Sequence, residues 1–207
     1  MYKKDIYSEL RDKIIFGEFQ PGELLSESGL AEKFDCSRAP IRDALIRLEA
    51  EGLVKIVPKK GTYVSQISLG DLRENFRVRK HLNNLVGELA AENATDEQIA
   101  RMEKILEEIE GTQNYTKLLK LDYKFHRVVH ESTGNSTLSM VMKLLLTQAV
   151  RIWLFSFDKS STELMIPGNM IDIKEAIEAG KKKKTADLLA EHVQVTIDSV
   201  GESILNL

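Results

Sequence analysis

The sequence predicts a mostly α-helical chain in two parts: a small mixed N-terminal module and an all-α six-helix bundle. Three observations predict it. Apolar residues recur at helical spacing through most of the chain. The period shortens to that of strands only around a Pro58-Lys59-Lys60-Gly61 turn. From Leu69 onward there is no strand signal of any length, and no proline before Pro167. The break at QISLG (66–70) separates a module of residues 1–66 from a bundle of residues 70–207.

Each element has its own signal. Ile6, Leu10, Ile14 and Ile15 predict a helix over 3–16, ended by GEFQPGE with its two glycines and proline. A short second helix starts at Ser26 or Glu27 and turns Leu30, Ala31 and Phe34 inward. Asp35-Cys36 is a tight turn. Ser37 then suits the N-cap of a third helix, whose first turn tolerates Pro40 because no N–H is needed there. Ile41, Ala44, Leu45 and Leu48 form its buried stripe, and Gly52 stops it. LVKIV (53–57), PKKG (58–61) and TYVSQI (62–67) read as a β-hairpin. The first part is thus a winged helix-turn-helix. Six helices follow, at about 69–93, 96–111, 114–133, 136–158, 163–179 and 182–205.

Composition narrows the class of protein. With 207 residues, 43% hydrophobic and 29% charged, the chain reads as a soluble globular protein. No run of 18 apolar residues stands out, so no membrane-spanning helix is expected. The N-terminus has no apolar signal core. The single cysteine, Cys36, excludes an internal disulfide and a cysteine-based zinc site, and suits a reducing cytoplasm. No nucleophile motif or phosphate-binding loop is present, so an enzyme is not expected. A net charge of −3 hints at no particular partner, but the charge is unevenly spread. Residues 37–62 carry six basic and three acidic side chains, whereas residues 1–36 carry five and eight.

That local excess falls on the third helix and the hairpin. Arg38 and Arg42 lie four apart, opposite the apolar stripe, and Arg47 extends the basic face. A guanidinium entering the major groove can grip guanine O6 and N7 in a bidentate fashion, worth about 1–3 kcal/mol of base discrimination. Ser37 and the free N–H groups beside it can hold a phosphate. Lys59, Lys60, Gly61 and Thr62 form a wing suited to phosphate or the minor groove. The bland alternative is a solvated face whose arginines pair with Asp43 and Glu49.

Residues 21–64, PGELLSESGLAEKFDCSRAPIRDALIRLEAEGLVKIVPKKGTYV, resemble the winged helix of GntR-type bacterial transcription regulators. The resemblance implies contacts from Ser37, Arg38, Ala39 and Arg42, with Gly61 in the wing, to a near-palindromic double-stranded operator bound by a homodimer. Ser28 departs from the pattern, because that position is often an arginine that touches DNA.

FRVRKHLNNLVGELAA (76–91), LDYKFHRVVHESTGN (121–135) and IKEAIEAGKKKKTADLLAEH (173–192) resemble the FadR-type (FCD) ligand-binding domain, in its shorter VanR-like branch. Many such domains hold a divalent metal, often zinc or nickel, with one aspartate and three histidines beside a pocket for a small carboxylate. The resemblance maps three of these to Asp122, His126 and His192, and the fourth to Met170, a poor ligand for either metal. Two readings stay open: three ligands and an open metal position, or a metal-free polar pocket. Arg79 takes the family's arginine position and implies a partner for an organic-acid effector; Asn83 stands where a glutamate is usual, and Arg151 is a second candidate. His130 and His81 are expected to be structural or exposed, and Trp153, Phe155 and Phe157 to pack between helices or subunits. Lys181–Lys184 is expected to be a solvated helix start. The whole reads as a cytoplasmic regulator that binds DNA with one part and an effector with the other; the alternative is a constitutive or partner-controlled repressor.

Overall fold

The computed structural model of the chain describes residues 5–156 and 169–205, which form two compact units divided between Ser68 and Leu69. In the first, α1 (Ile6–Ile15), α2 (Glu27–Lys33) and α3 (Arg38–Ala50) surround a core of Leu10, Ile14, Leu30, Ile41, Leu45 and Leu48. Local chemistry fixes each start. Asp5 and Ser26 accept N–H bonds from Ser8 and Gly29 at the N-termini of α1 and α2. The turn between α2 and α3 passes through Asp35 at φ 49°, with the Cys36 N–H bonded to Ala31 O at 3.0 Å.

The hairpin is present as β2 (Val54–Val57) and β3 (Gly61–Val64), with Val57 opposite Gly61. A strand the periodicity does not predict joins it: β1 (Leu24–Leu25) pairs antiparallel with β3, giving the order β1-β3-β2. Two residues are too few to show a period. Gly61 has φ +121°, a conformation that favours glycine at this end of the wing, whereas the exposed Leu24 side chain 2.7 Å from a Cβ there could turn aside.

The second unit is helical throughout its described residues: α4 (Leu69–Asn93), α5 (Asp96–Glu110), α6 (Tyr115–Glu131), α7 (Ser136–Ser156), α8 (Met170–Glu178) and α9 (Lys182–Leu205). α4 and α9 run against each other. At Gly87 their backbones approach so closely that a Cβ would lie 2.5 Å from both N and Cα of Ala186. Thr95 and Gln98 form a reciprocal capping box at the start of α5. The core joins Val86, Ala90, Met102, Phe125, Val129, Met142, Ile173 and Leu189. Residues 163–168 of the expected fifth bundle helix, and Phe157, lie outside the described residues.

Two expectations change here. Ser136–Phe155 of α7 is long and apolar enough to cross a membrane, with a mean hydropathy of 1.4. Its Leu138, Met142, Leu146 and Val150 are buried among the other helices, so its apolarity is that of a core helix. Arg47 does not simply extend a basic surface; its guanidinium stacks 3.6 Å from the centre of the Tyr7 ring. Tyr7 donates its hydroxyl proton to Glu51, which also takes the buried Arg11 at 2.8 Å. Burial and this carboxylate push the Tyr7 phenol up to about 12. The residues at the end of α3 therefore fasten it to α1.

Candidate functional site

On the N-terminal unit, Ser37 caps α3 by backbone conformation without a side-chain hydrogen bond, and Arg38 and Ala39 follow it on the exposed surface. The Ser37 hydroxyl and the first N–H groups of α3 are thus available to an anion. Arg38 has no hydrogen-bond partner among the described residues. Arg42 has one: its Nη2 and Nε lie 2.9 and 3.2 Å from the two oxygens of Glu27 on α2. The hydrogen-bonding partner is Glu27, not the Asp43 or Glu49 of the solvated-face alternative; the Glu49 carboxylate accepts the Ile56 N–H at 2.7 Å. With a side chain 64% exposed, Arg42 still offers its outer edge to a ligand, already oriented by its partner. Lys59, at φ 63°, Lys60 and Gly61 are exposed at the hairpin tip. Thr62 is 6% exposed, turns its side chain inward and pairs with Leu25 and Ile56 in the central strand, so it supports the wing from within the sheet.

The second unit gathers polar groups in an apolar interior. α6 carries Asp122 and His126 one turn apart, and α9 brings His192 to them. His126 Nε2 lies 3.0 Å from His192 Nε2 and 3.6 Å from Asp122 Oδ1. One donor atom from each of the three lies within 4.8 Å of the others. Donors at bonds of about 2.0–2.2 Å around a tetrahedral zinc are about 3.3 Å apart, so this set fits a divalent cation after small side-chain adjustments, with one position left open.

The surroundings set the charge. Burial would raise the Asp122 carboxyl, but His126, His192 and Arg79 outweigh it and hold its pKa below the usual range. Burial lowers His192 to about 3, reinforced by His126 and Arg79 and opposed by Asp122. Arg79, on α4, is lowered to about 10 by burial, and its Nε has no hydrogen-bond partner among the described residues. The site is therefore a carboxylate and a neutral His192 on either side of His126, with a buried guanidinium close enough to act on them.

The other candidates fall differently. Asn83 is buried and donates to Leu189 O at 3.4 Å, which ties α4 to α9. Arg151 is 1% exposed and bonds Gln148 on its own helix at 3.2 Å. Met170 is 2% exposed and belongs to the apolar core. The residue before it, Asn169, takes the polar role instead, with Oδ1 2.8 Å from His192 Nδ1. An asparagine ahead of an apolar helix reads as a cap, so its sequence gives no sign of this contact. His81 is exposed, and of Lys181–Lys184, all exposed, Lys182 pairs with Glu92 at 3.1 Å. His130, expected to be structural or exposed, is buried: burial first, then His126, Arg79 and Arg127, hold it well below 6.5.

These shifts predict acid sensitivity. Unfolded, His130 and His192 protonate near 6.5; folded, they do so far lower. Between those values the unfolded chain binds more protons, so stability present at pH 7 is lost as pH falls below 6.5. Chemical unfolding in chelator should show a loss of roughly 1 kcal/mol per histidine between pH 7.5 and 5.5. A flat profile would contradict their neutral burial.

Comparison with known proteins adds a second line of evidence. Residues 2–64 match the family described as "Bacterial regulatory proteins, gntR family", and residues 74–195 match the FCD domain. The chain is 33% identical to the uncharacterized HTH-type transcriptional regulator YdhC of Bacillus subtilis, over 69% of this chain and 65% of that one. It is 28% identical to the HTH-type transcriptional repressor RspR of Escherichia coli, over 96% and 89%. It is also 33% identical to the HTH-type transcriptional regulator LutR of B. subtilis, over 68% and 75%. Escherichia coli McbR/YncC has the same fold, with a TM-score of 0.82 at 21% identity and 95% of each chain covered.

Proposed function

Since this chain belongs to the gntR family of bacterial regulatory proteins, with an FCD domain, and is a DNA-binding transcription regulator, we propose that its helical unit senses a small organic acid. The effector's carboxylate meets Arg79, and a divalent zinc or nickel ion held by Asp122, His126 and His192 assists. The protein acts as a cytoplasmic homodimer on a near-palindromic operator. Ser37, Arg38, Ala39 and Arg42 enter the major groove, and Lys59, Lys60 and Gly61, with Thr62 holding them in the sheet, follow as the wing.

One observation carries the sensing: a convergent Asp-His-His set beside a guanidinium whose Nε lacks a hydrogen-bond partner among the described residues. A buried donor without a partner costs about 1–3 kcal/mol, and an anionic ligand would satisfy it. A bound cation supplies positive charge that a carboxylate can meet directly. The residues' own part is to hold the cation, orient the carboxylate through Arg79 and exclude water.

The seat of Met170 in the core favours a second reading, a metal-free pocket in a constitutive or partner-controlled repressor. Thermal shift against organic acids, with zinc, with nickel and with chelator, separates them. The sensor shows stabilisation by at least one acid that chelator abolishes and Arg79→Ala weakens. No shift with any acid or metal leaves the constitutive reading.

A further inference from the structure

Asn169 stands at the N-cap of α8, its backbone oxygen accepting the Ile173 N–H at 2.9 Å. Its side chain does not cap the helix. Instead Nδ2 donates to Leu188 O on α9 at 3.2 Å, while Oδ1 lies 2.8 Å from His192 Nδ1. A carbonyl can only accept, so the amide must turn its NH2 to Leu188 and its oxygen to the ring. That oxygen can only accept as well. His192 must therefore carry its proton on Nδ1, which leaves a bare lone pair on Nε2. Nε2 is the atom that faces His126 Nε2 at 3.0 Å and belongs to the donor set with Asp122.

We propose that Asn169 is a positioning residue for this site: it selects the Nδ1–H tautomer of His192 and fixes its ring, so that Nε2 stands ready as a ligand for a divalent cation. The proposal rests on the reading of Asp122, His126 and His192 as a metal site. The neighbouring Met170, anchored in the core, holds the start of α8 and with it the amide. The side chain that supplies no ligand thus seats the residue that orients one. Asn169 is also uncharged. With a divalent cation bound, Asp122 supplies the one negative charge among these four residues, and a net positive charge remains for an anion. A carboxylate behind His192 would remove it.

The tautomer can be read without any metal. Long-range 15N–1H correlation of the His192 ring in the chelated, full-length protein at neutral pH should show Nδ1–H. In Asn169→Leu, of similar volume but without an acceptor, the pattern should shift towards Nε2–H or a mixture. Co(II) titration followed by visible absorption should then show affinity falling about 10–100-fold, the usual effect of losing such a support. Asn169→Ser, which keeps a short hydroxyl near the ring, should fall between the two. A wild-type ring protonated at Nε2 overturns the proposal, whether or not the variants fold. So does an Asn169→Leu protein with unchanged tautomer and Co(II) affinity. Should wild type take up no Co(II), the metal reading fails on its own, and the tautomer still decides whether Asn169 orients the ring.

Discussion

Arg38→Ala is expected to weaken specific operator binding about 10- to 100-fold at fixed salt, while leaving the fold and most non-specific binding in place. Three features of the side chain set that size. Arg38 lies in the first turn of α3, the part of a recognition helix that meets base edges. It has no hydrogen-bond partner among the described residues, so binding breaks no hydrogen bond, only a charge attraction to Glu27. It is exposed, and its removal opens no cavity. Loss of one bidentate grip on guanine removes about 1–3 kcal/mol of discrimination, and a surface substitution usually changes stability by less than about 0.5 kcal/mol. Arg42→Ala should be harder to interpret, because it also releases Glu27, whose pKa the Arg42 hydrogen bond holds down. A gel shift with the operator and an unrelated duplex, alongside thermal unfolding, reads both effects. Unchanged specific affinity would remove Arg38 from the interface.

Gly87→Ala is expected to destabilise the helical unit by about 3 kcal/mol or more. In an isolated helix the same change would help, by up to about 1 kcal/mol. Here the new Cβ would lie 2.5 Å from Ala186 N and Cα, and 2.8 Å from Thr185 C. Those are backbone atoms of α9, so no side-chain rotation can relieve the clash. α4 and α9 must separate along the face that carries Asn83 and Leu189. Because the chain has two units, a single two-state transition cannot be assumed. The only tryptophan, Trp153 on α7, reports on the helical unit alone, and its fluorescence during denaturation isolates the effect. A variant as stable as wild type would mean that the helices can part at little cost.

Much of the fold was legible because each signal was local. Ser37, Pro40 and the stripe Ile41, Ala44, Leu45 and Leu48 are read from one helix, and all four stripe residues are buried. What stayed hidden depends on a partner element. β1 has no period of its own and exists through its pairing with β3. Arg47 and a surface arginine look alike until Tyr7 on α1 lies beneath the guanidinium. In α6, by contrast, the exposed Thr116, Lys117 and Lys124 lie on one stripe and His130 falls between Leu119 and Tyr123 on the buried side, a placement that the helical spacing itself carries.

The candidate site divides in the same way. Asp122 and His126 sit one turn apart on one helix and can be paired by counting, whereas His192 was reached only through resemblance to a family. Asn169 was not reached at all, because its part depends on Leu188 and His192 on another helix. Met170 follows Asn169 along the chain, but at the start of α8 its side chain lies in the apolar core rather than in the polar site.

The most direct test of the account is selection from a pool of random DNA duplexes by the full-length protein at near-physiological salt, followed by sequencing. The expected result is one enriched inverted repeat, its half-sites about one helical turn apart, with enrichment lost in Arg38→Ala. Retention of all duplexes alike, weakening only with added salt, would be non-specific phosphate binding and would contradict a sequence-reading regulator.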